Sequence, residues 1–204
     1  MMEKFKHRLK GLIASSSSAK KICDTAIRLL KRTKPPTLAS HNSREKSRVI
    51  TKKSIRAVEK KSIRDFLEDH RSYLRGRVLD FGAGEQPYQD LIEGEYVPFE
   101  KGGAFSPGPY DAVLMTQVAQ YLPDPIGTFS GLAKISKYLV MTYPTNWYEV
   151  EGNDWWRFTK VGMERILKES GFEILAHEPK CMIEFDGFVL NIGYGVIAKS
   201  IRQS

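Results

Sequence analysis

A short apolar strand that runs directly into two glycines constrains the fold of this chain more than any other feature. Residues 77–88 read RVLDFGAGEQPY, so the strand is followed at once by Gly82, Ala83 and Gly84. Glycines at this position let the chain turn sharply, and they let the backbone approach a ligand with no Cβ atom in between. The segment therefore predicts the first strand–turn unit of a nucleotide-binding α/β sheet.

The residues around the glycines narrow the class of nucleotide site. A dinucleotide fingerprint would place a third glycine where Pro87 stands, and a phosphate-binding P-loop would continue into Gly-Lys-Ser/Thr, which does not follow here. Pro87 instead predicts the start of a helix. Asp80 can orient the turn or face a cationic ligand, and Glu100, at the end of the next apolar strand, can accept hydrogen bonds from ribose hydroxyls.

The remaining pattern alternates strands with helices and predicts a doubly wound, mostly parallel sheet. Its ligand crevice would lie at the carboxyl ends of the strands, where Thr116 and Gln117 join the glycine turn. We expect Thr159 to cap a helix that Gly171 ends. The predicted elements are a leading helix within Ser47–Leu74, strands at Tyr110–Met115 and Tyr138–Thr142, helices at about Ile126–Ile135 and at Lys160–Ser170, and a closing strand pair at Phe172–His177 and Phe188–Lys199.

Three motifs follow one another in an order and spacing that resemble the class I S-adenosylmethionine-dependent methyltransferases. Residues 78–88, 110–125 and 154–159 are similar to the family patterns VLDxGxGxxPY, YDxVLxTQVxxxxPDP and DxWRFT. The resemblance implies a Rossmann-like fold with a C-terminal antiparallel strand pair, and S-adenosylmethionine as cofactor. Only nine residues separate Glu100 from Tyr110, so the family's third strand, which contacts adenine, is expected to be reduced or missing.

The same resemblance implies roles for individual residues. The loop Gly82–Gly84 would pack against the methionine part of the cofactor, Glu100 would hold its ribose, and Gln117 would line the methyl-transfer pocket. The implied cofactor-binding set is Asp80, Gly82, Ala83, Gly84, Glu100, Thr116 and Gln117.

An aromatic and polar loop follows the fifth strand of the family pattern. Trp155, Trp156 and Arg157 are the predicted acceptor contacts, and the alternative is structural: an ion pair between Asp154 and Arg157 that pins the loop under the two indoles. If the acceptor is a hydroxyl, the candidates for a general base are Tyr143, Asp154 and His177, and the sequence assigns none of them. The four histidines and two cysteines have no spacing typical of a metal site or a disulfide framework.

The charge of the chain is divided unevenly. Residues 1–77 carry 22 Lys and Arg against 7 Asp and Glu, whereas residues 78–204 carry 10 against 17. We interpret residues 1–46 as a basic, partly helical N-terminal extension with a linker, and 47–204 as the methyltransferase-like domain. Such an extension is typical of binding to RNA or to an acidic membrane surface, but a solvated surface is an equally good interpretation.

No stretch of the sequence predicts a transmembrane segment or a secretory signal, so a cytoplasmic location is expected. The first functional hypothesis is methylation of a small-molecule or glycan-type acceptor, because this branch of the family resembles enzymes of cell-surface polysaccharide pathways. The second is RNA methylation through the basic extension. The third is a non-catalytic binding or scaffold protein with a degenerate methyltransferase fold.

Overall fold

A computed structural model describes residues 52–100, 106–147, 152–185 and 188–201 of the chain. These residues belong to the compact unit Val49–Ser204. The basic extension predicted at 1–46 lies outside the described residues, and so do Asp186 and Gly187 between the last two strands.

Six strands form one sheet in the order β2-β1-β3-β4-β6-β5. Strands β1 to β4 run parallel, while β6 runs antiparallel to both β4 and β5. The predicted mostly parallel sheet with a closing antiparallel pair is therefore confirmed. The elements are α1 (Lys52–Asp69), β1 (Arg75–Phe81), β2 (Glu93–Phe99), β3 (Tyr110–Thr116), α2 (Pro125–Ile135), β4 (Ser136–Pro144), α3 (Lys160–Glu169), β5 (Phe172–Phe185) and β6 (Phe188–Ser200).

Helices cover both faces of the sheet, as a doubly wound fold requires. Side chains of α1 pack on one face, and side chains of α2 and α3 pack on the other. The inner strands are buried on both faces, because successive side chains of a strand point to opposite sides. The first core contains Ile63, Phe66, Leu67, Val78, Leu114, Val140 and Ile197, and the second contains Leu79, Val113, Met115, Phe129, Met141, Met163 and Leu167.

Both C-terminal helices begin at capping residues. The Asp124 side chain accepts a hydrogen bond from the Gly127 backbone nitrogen at 2.9 Å, and Thr159 Oγ1 accepts one from Gly162 at 3.0 Å. These bonds satisfy amides that have no partner inside the helix. Gly171 follows α3 with φ +93°, so the predicted start and end of this helix are confirmed.

The helix predicted to start at Pro87 is wrong. The described residues between β1 and β3 contain one 3-10 turn, Gln89–Leu91, and no α-helix. Arg64 of α1 holds this connection down, since its guanidinium donates to the Pro87 carbonyl oxygen at 3.1 Å and pairs with Asp90 at 2.9 Å. Too few residues remain between the glycine turn and β2 for a helix and two turns.

The predicted loss of the third strand agrees with the sheet order, in which β2 forms the edge. A parallel strand needs a long crossover connection, and the interval from Phe99 to Tyr110 is too short to supply both a crossover and another strand. Among the helices of the described part, none is long and apolar enough to cross a membrane.

Candidate functional site

The glycine turn closes onto the end of β2. The backbone nitrogens of Gly82 and Ala83 donate to the Phe99 carbonyl oxygen at 2.8 Å and 3.3 Å, and the Gly84 nitrogen donates to Glu100 Oε1. Both glycines have positive φ, +83° at Gly82 and +53° at Gly84. The turn predicted from the sequence therefore brings Gly82, Ala83, Gly84 and Glu100 together at the carboxyl edge of the sheet.

The two glycines differ in what surrounds them. A Cβ added at Gly82 would lie 2.5 Å from Val118 Cγ2, whereas a Cβ added at Gly84 would meet no atom within 4 Å. Gly82 is thus required by packing against the segment after β3. Gly84 borders open space, which is where a ligand of the turn would lie.

Asp80 sits below the turn at the end of β1, and only 1% of it is exposed. Its Oδ2 accepts a hydrogen bond from the Tyr96 hydroxyl at 2.8 Å, while Oδ1 is buried and has no partner among the described residues. Burial, with a smaller contribution from the nearby Glu100 charge, raises the pKa of Asp80 to about 6. An acceptor left without a partner here is suited to a cationic donor group of a ligand.

Gln117 turns the chain sharply at the end of β3, with φ +56°. Its backbone nitrogen donates to the Thr142 carbonyl oxygen at 2.9 Å, and its side-chain Nε2 donates to Thr142 Oγ1 at 3.3 Å. Its own carbonyl oxygen accepts from Gln120 Nε2 at 2.8 Å. Thr116, the residue before it, pairs with Thr142 in the register of β3 and β4.

The aromatic loop is anchored to the segment that follows Gln117. The backbone nitrogens of Trp155 and Trp156 donate to the Gln120 carbonyl oxygen at 3.0 Å and 3.3 Å, and Trp156 Nε1 donates to the Leu122 carbonyl oxygen at 2.7 Å. Arg157 forms the predicted ion pair with the nearly buried Asp154. The Trp155 side chain is half-exposed.

Two of the catalytic candidates lie in one chain of hydrogen bonds. The fully buried Tyr143 hydroxyl lies 2.8 Å from His177 Nε2, and His177 Nδ1 lies 3.1 Å from Glu164 Oε1. Burial lowers the pKa of His177, although Glu164 opposes the shift, and burial raises the pKa of Tyr143. These groups are paired with one another, from the buried Tyr143 to the partly exposed Glu164. The catalytic roles of Tyr143, His177 and Asp154 stay predictions.

An open cleft of about 340 Å³ lies at the carboxyl end of β4, next to these hydrogen-bonded side chains. Tyr194 forms part of its wall and packs edge-on against His177, with ring centroids 5.1 Å apart. The described residues that line the cleft are Thr145, Asn146, Arg157, Phe158, Thr159, Lys160, Asn191 and Tyr194.

The sequence did not reveal several of these residues. Tyr96, Glu164 and Asn191 have no motif of their own, and each meets its partner only through the fold. The one signal for Tyr96 was its position in the strand that ends at Glu100. The described residues contain no group of three or more His, Cys, Asp or Glu side chains that could hold a metal ion.

No protein-family model matches the chain, and no curated protein matches it in sequence. Solved structures do match its fold. The DhpI–SAH complex is similar with a TM-score of 0.54 and 9% identity, over 75% of this chain and 89% of that one. An S-adenosylmethionine-dependent methyltransferase from Mesorhizobium loti has a TM-score of 0.50 and 13% identity, over 70% and 97% of the two chains. The protein therefore has the Rossmann-like fold of class I S-adenosylmethionine-dependent methyltransferases.

Proposed function

We propose that the protein is an S-adenosylmethionine-dependent methyltransferase. The observation that carries this proposal is the buried Asp80 Oδ1, which lacks a partner among the described residues and lies beneath a glycine turn that is open at Gly84. The α-ammonium group of the cofactor fits this acceptor in charge and in hydrogen-bonding capacity. The residues present thus fit the cofactor that the fold implies.

The glycine turn and the end of β2 would hold the rest of the cofactor. Glu100 already accepts the Gly84 amide through Oε1, which leaves Oε2 for a ribose hydroxyl. Thr116 and Gln117, fixed to Thr142 of the neighbouring strand, would border the reacting centre. When bound, S-adenosylmethionine supplies an electrophilic methyl group, so the main work of the protein is to orient the acceptor and to exclude water.

The acceptor in this proposal is a small molecule or a glycan-type unit. The cleft beside β4 supports this choice of acceptor, because a volume of about 340 Å³ suits a small chemical group. The Gln117 corner lies at the end of the adjacent strand β3. Neighbouring strands are about 5 Å apart, so a group in the cleft could approach a methyl donor near Gln117.

The test is calorimetric titration of the full chain with S-adenosylhomocysteine and S-adenosylmethionine. We expect micromolar binding by the wild type and at least tenfold weaker binding by Glu100→Gln and Gly84→Ala. Gly131→Ala is the matched control, since a Cβ at Gly131 of α2 also meets no atom within 4 Å but lies away from the turn. A folded wild type that binds neither compound would refute the proposal.

A non-catalytic scaffold is the second candidate, and the position of β2 at the sheet edge favours it. The strand that contacts adenine in the family pattern is not among the described elements. This candidate predicts no binding in the titration above. RNA methylation, the alternative suggested by the basic extension, instead predicts cofactor binding together with salt-dependent RNA binding.

A further inference from the structure

The cleft beside β4 contrasts in charge with the rest of the domain. Residues 78–204 carry 17 acidic against 10 basic side chains, yet the described residues lining the cleft include Arg157 and Lys160 and no carboxylate. Arg157 is engaged with Asp154, so the exposed Lys160 ammonium supplies the available charge.

The cleft lining includes a second donor. Asn191 Nδ2 is buried and has no hydrogen-bond partner among the described residues, while Asn191 Oδ1 accepts from the Gly193 nitrogen at 3.1 Å. That contact fixes the orientation of the amide. A buried nitrogen donor without an acceptor is uncommon in proteins, and a ligand oxygen is one way to satisfy it.

Two further polar residues of the cleft brace the segment that carries Asn191. Thr145 Oγ1 and Asn146 Nδ2 both donate to the Asn191 carbonyl oxygen, at 3.0 Å and 2.8 Å, and so hold the wall in place. Thr159 and Lys160 stand at the beginning of α3, where the helix dipole favours negative charge. Phe158 and Tyr194 supply an apolar surface beside these donors.

We infer that this cleft binds an oxyanion, a carboxylate or a phosphate, carried by the methyl acceptor. Lys160 supplies the charge, and Asn191 Nδ2 supplies a directed hydrogen bond. The apolar part of the acceptor lies against Phe158 and Tyr194. This role of the cleft rests on the proposed methyl transfer, whereas oxyanion binding itself can be measured without any reaction.

The experiment is an amide-resolved NMR titration of the full chain with sodium phosphate and, separately, with sodium acetate, at constant ionic strength maintained with sodium chloride. We expect saturable shifts at the Thr159–Gly162 amides and at the Asn191 side-chain amide. Lys160→Met should weaken this binding at least fivefold. Lys134→Met, which removes a charge from the last turn of α2, is the matched control and should leave it unchanged.

The two anions separate the sources of the oxyanion. Tighter phosphate binding indicates a phosphorylated acceptor, and acetate binding of equal or greater strength indicates a carboxylate. Shifts that do not saturate, that occur only in residues 1–46, or that survive Lys160→Met would overturn the inference. S-adenosylhomocysteine binding in the same samples is independent, so its loss would count against the proposed function and not against the cleft.

Discussion

The carboxyl edge of the sheet has two halves that differ in charge and in construction. In the glycine-turn half, formed by the ends of β1, β2 and β3, the charged groups include the carboxylates Asp80 and Glu100. In the cleft half, formed by the end of β4 and the adjoining parts of β6 and α3, the described lining offers donors and cations. The comparison shows that one sheet edge can carry acidic hydrogen-bond acceptors in one half and basic or hydrogen-bond-donating groups in the other.

The two halves also differ in how closely they follow the methyltransferase pattern to which the sequence was compared. The glycine-turn half has a short connection in place of a helix and ends at β2, whereas the cleft half keeps both helices and the antiparallel pair. We therefore expect variants in the glycine-turn half to change cofactor binding, and variants in the cleft half to change stability without changing cofactor binding.

The largest effect is expected for Gly82→Val in the glycine-turn half. A β-branched side chain at φ +83° is strained, and its Cβ would lie 2.5 Å from Val118 Cγ2. Together these costs should lower the free energy of unfolding by about 3 kcal/mol and remove S-adenosylhomocysteine binding. Chemical denaturation and calorimetry measure the two results, with Gly84→Ala as the variant that should remain folded. Wild-type stability in Gly82→Val would contradict the packing role.

A smaller effect is expected for Tyr143→Phe in the cleft half. The change leaves His177 Nε2 without its hydroxyl partner in the core, which should cost about 1–2 kcal/mol in denaturation experiments. Cofactor binding should be unchanged, because Tyr143 lies outside the glycine-turn half. If Tyr143→Phe weakened S-adenosylhomocysteine binding by as much free energy as it lowered stability, the two halves would not be independent.

The smallest effect is expected in how the difference in unfolding free energy between the wild type and Asp80→Asn changes with pH. The folded pKa of Asp80, raised to about 6, lies above its unfolded value of 3.8. The stability present when this group is protonated is therefore lost as pH rises above the unfolded pKa and through about 6. Relative to Asp80→Asn, the wild type should therefore lose about 1 kcal/mol of unfolding free energy between pH 5 and pH 7.5.

His177 acts with the opposite sign, so only the difference between the variant and the wild type is diagnostic for Asp80. The folded pKa of His177 is lowered, and its contribution to stability is present above the unfolded pKa and is lost on acidification. Denaturation curves of both proteins at the two pH values provide the measurement. Parallel pH profiles would show that the pKa of Asp80 is not raised.

The order of strands and helices was predictable because it depends on local patterns. Alternating apolar residues, the cap at Thr159, and the glycines at the ends of β1 and α3 each act over a few residues. Pro87 is the exception, because the connection between the glycine turn and β2 is too short for a helix and two turns, and Arg64 of α1 contacts it instead. Local propensity yields to tertiary contacts when the connection is this short.

The sequence by itself determined the class of fold and the residues that gather at the edge of its sheet, since strand ends and turns are encoded where they occur. Only the tertiary structure decided that Asp80 Oδ1 has no partner among the described residues, that Tyr143, His177 and Glu164 are joined by hydrogen bonds, and that Lys160 and Asn191 line one cleft. Burial and hydrogen bonding across the fold depend on residues far apart in the chain. No local pattern records those distances.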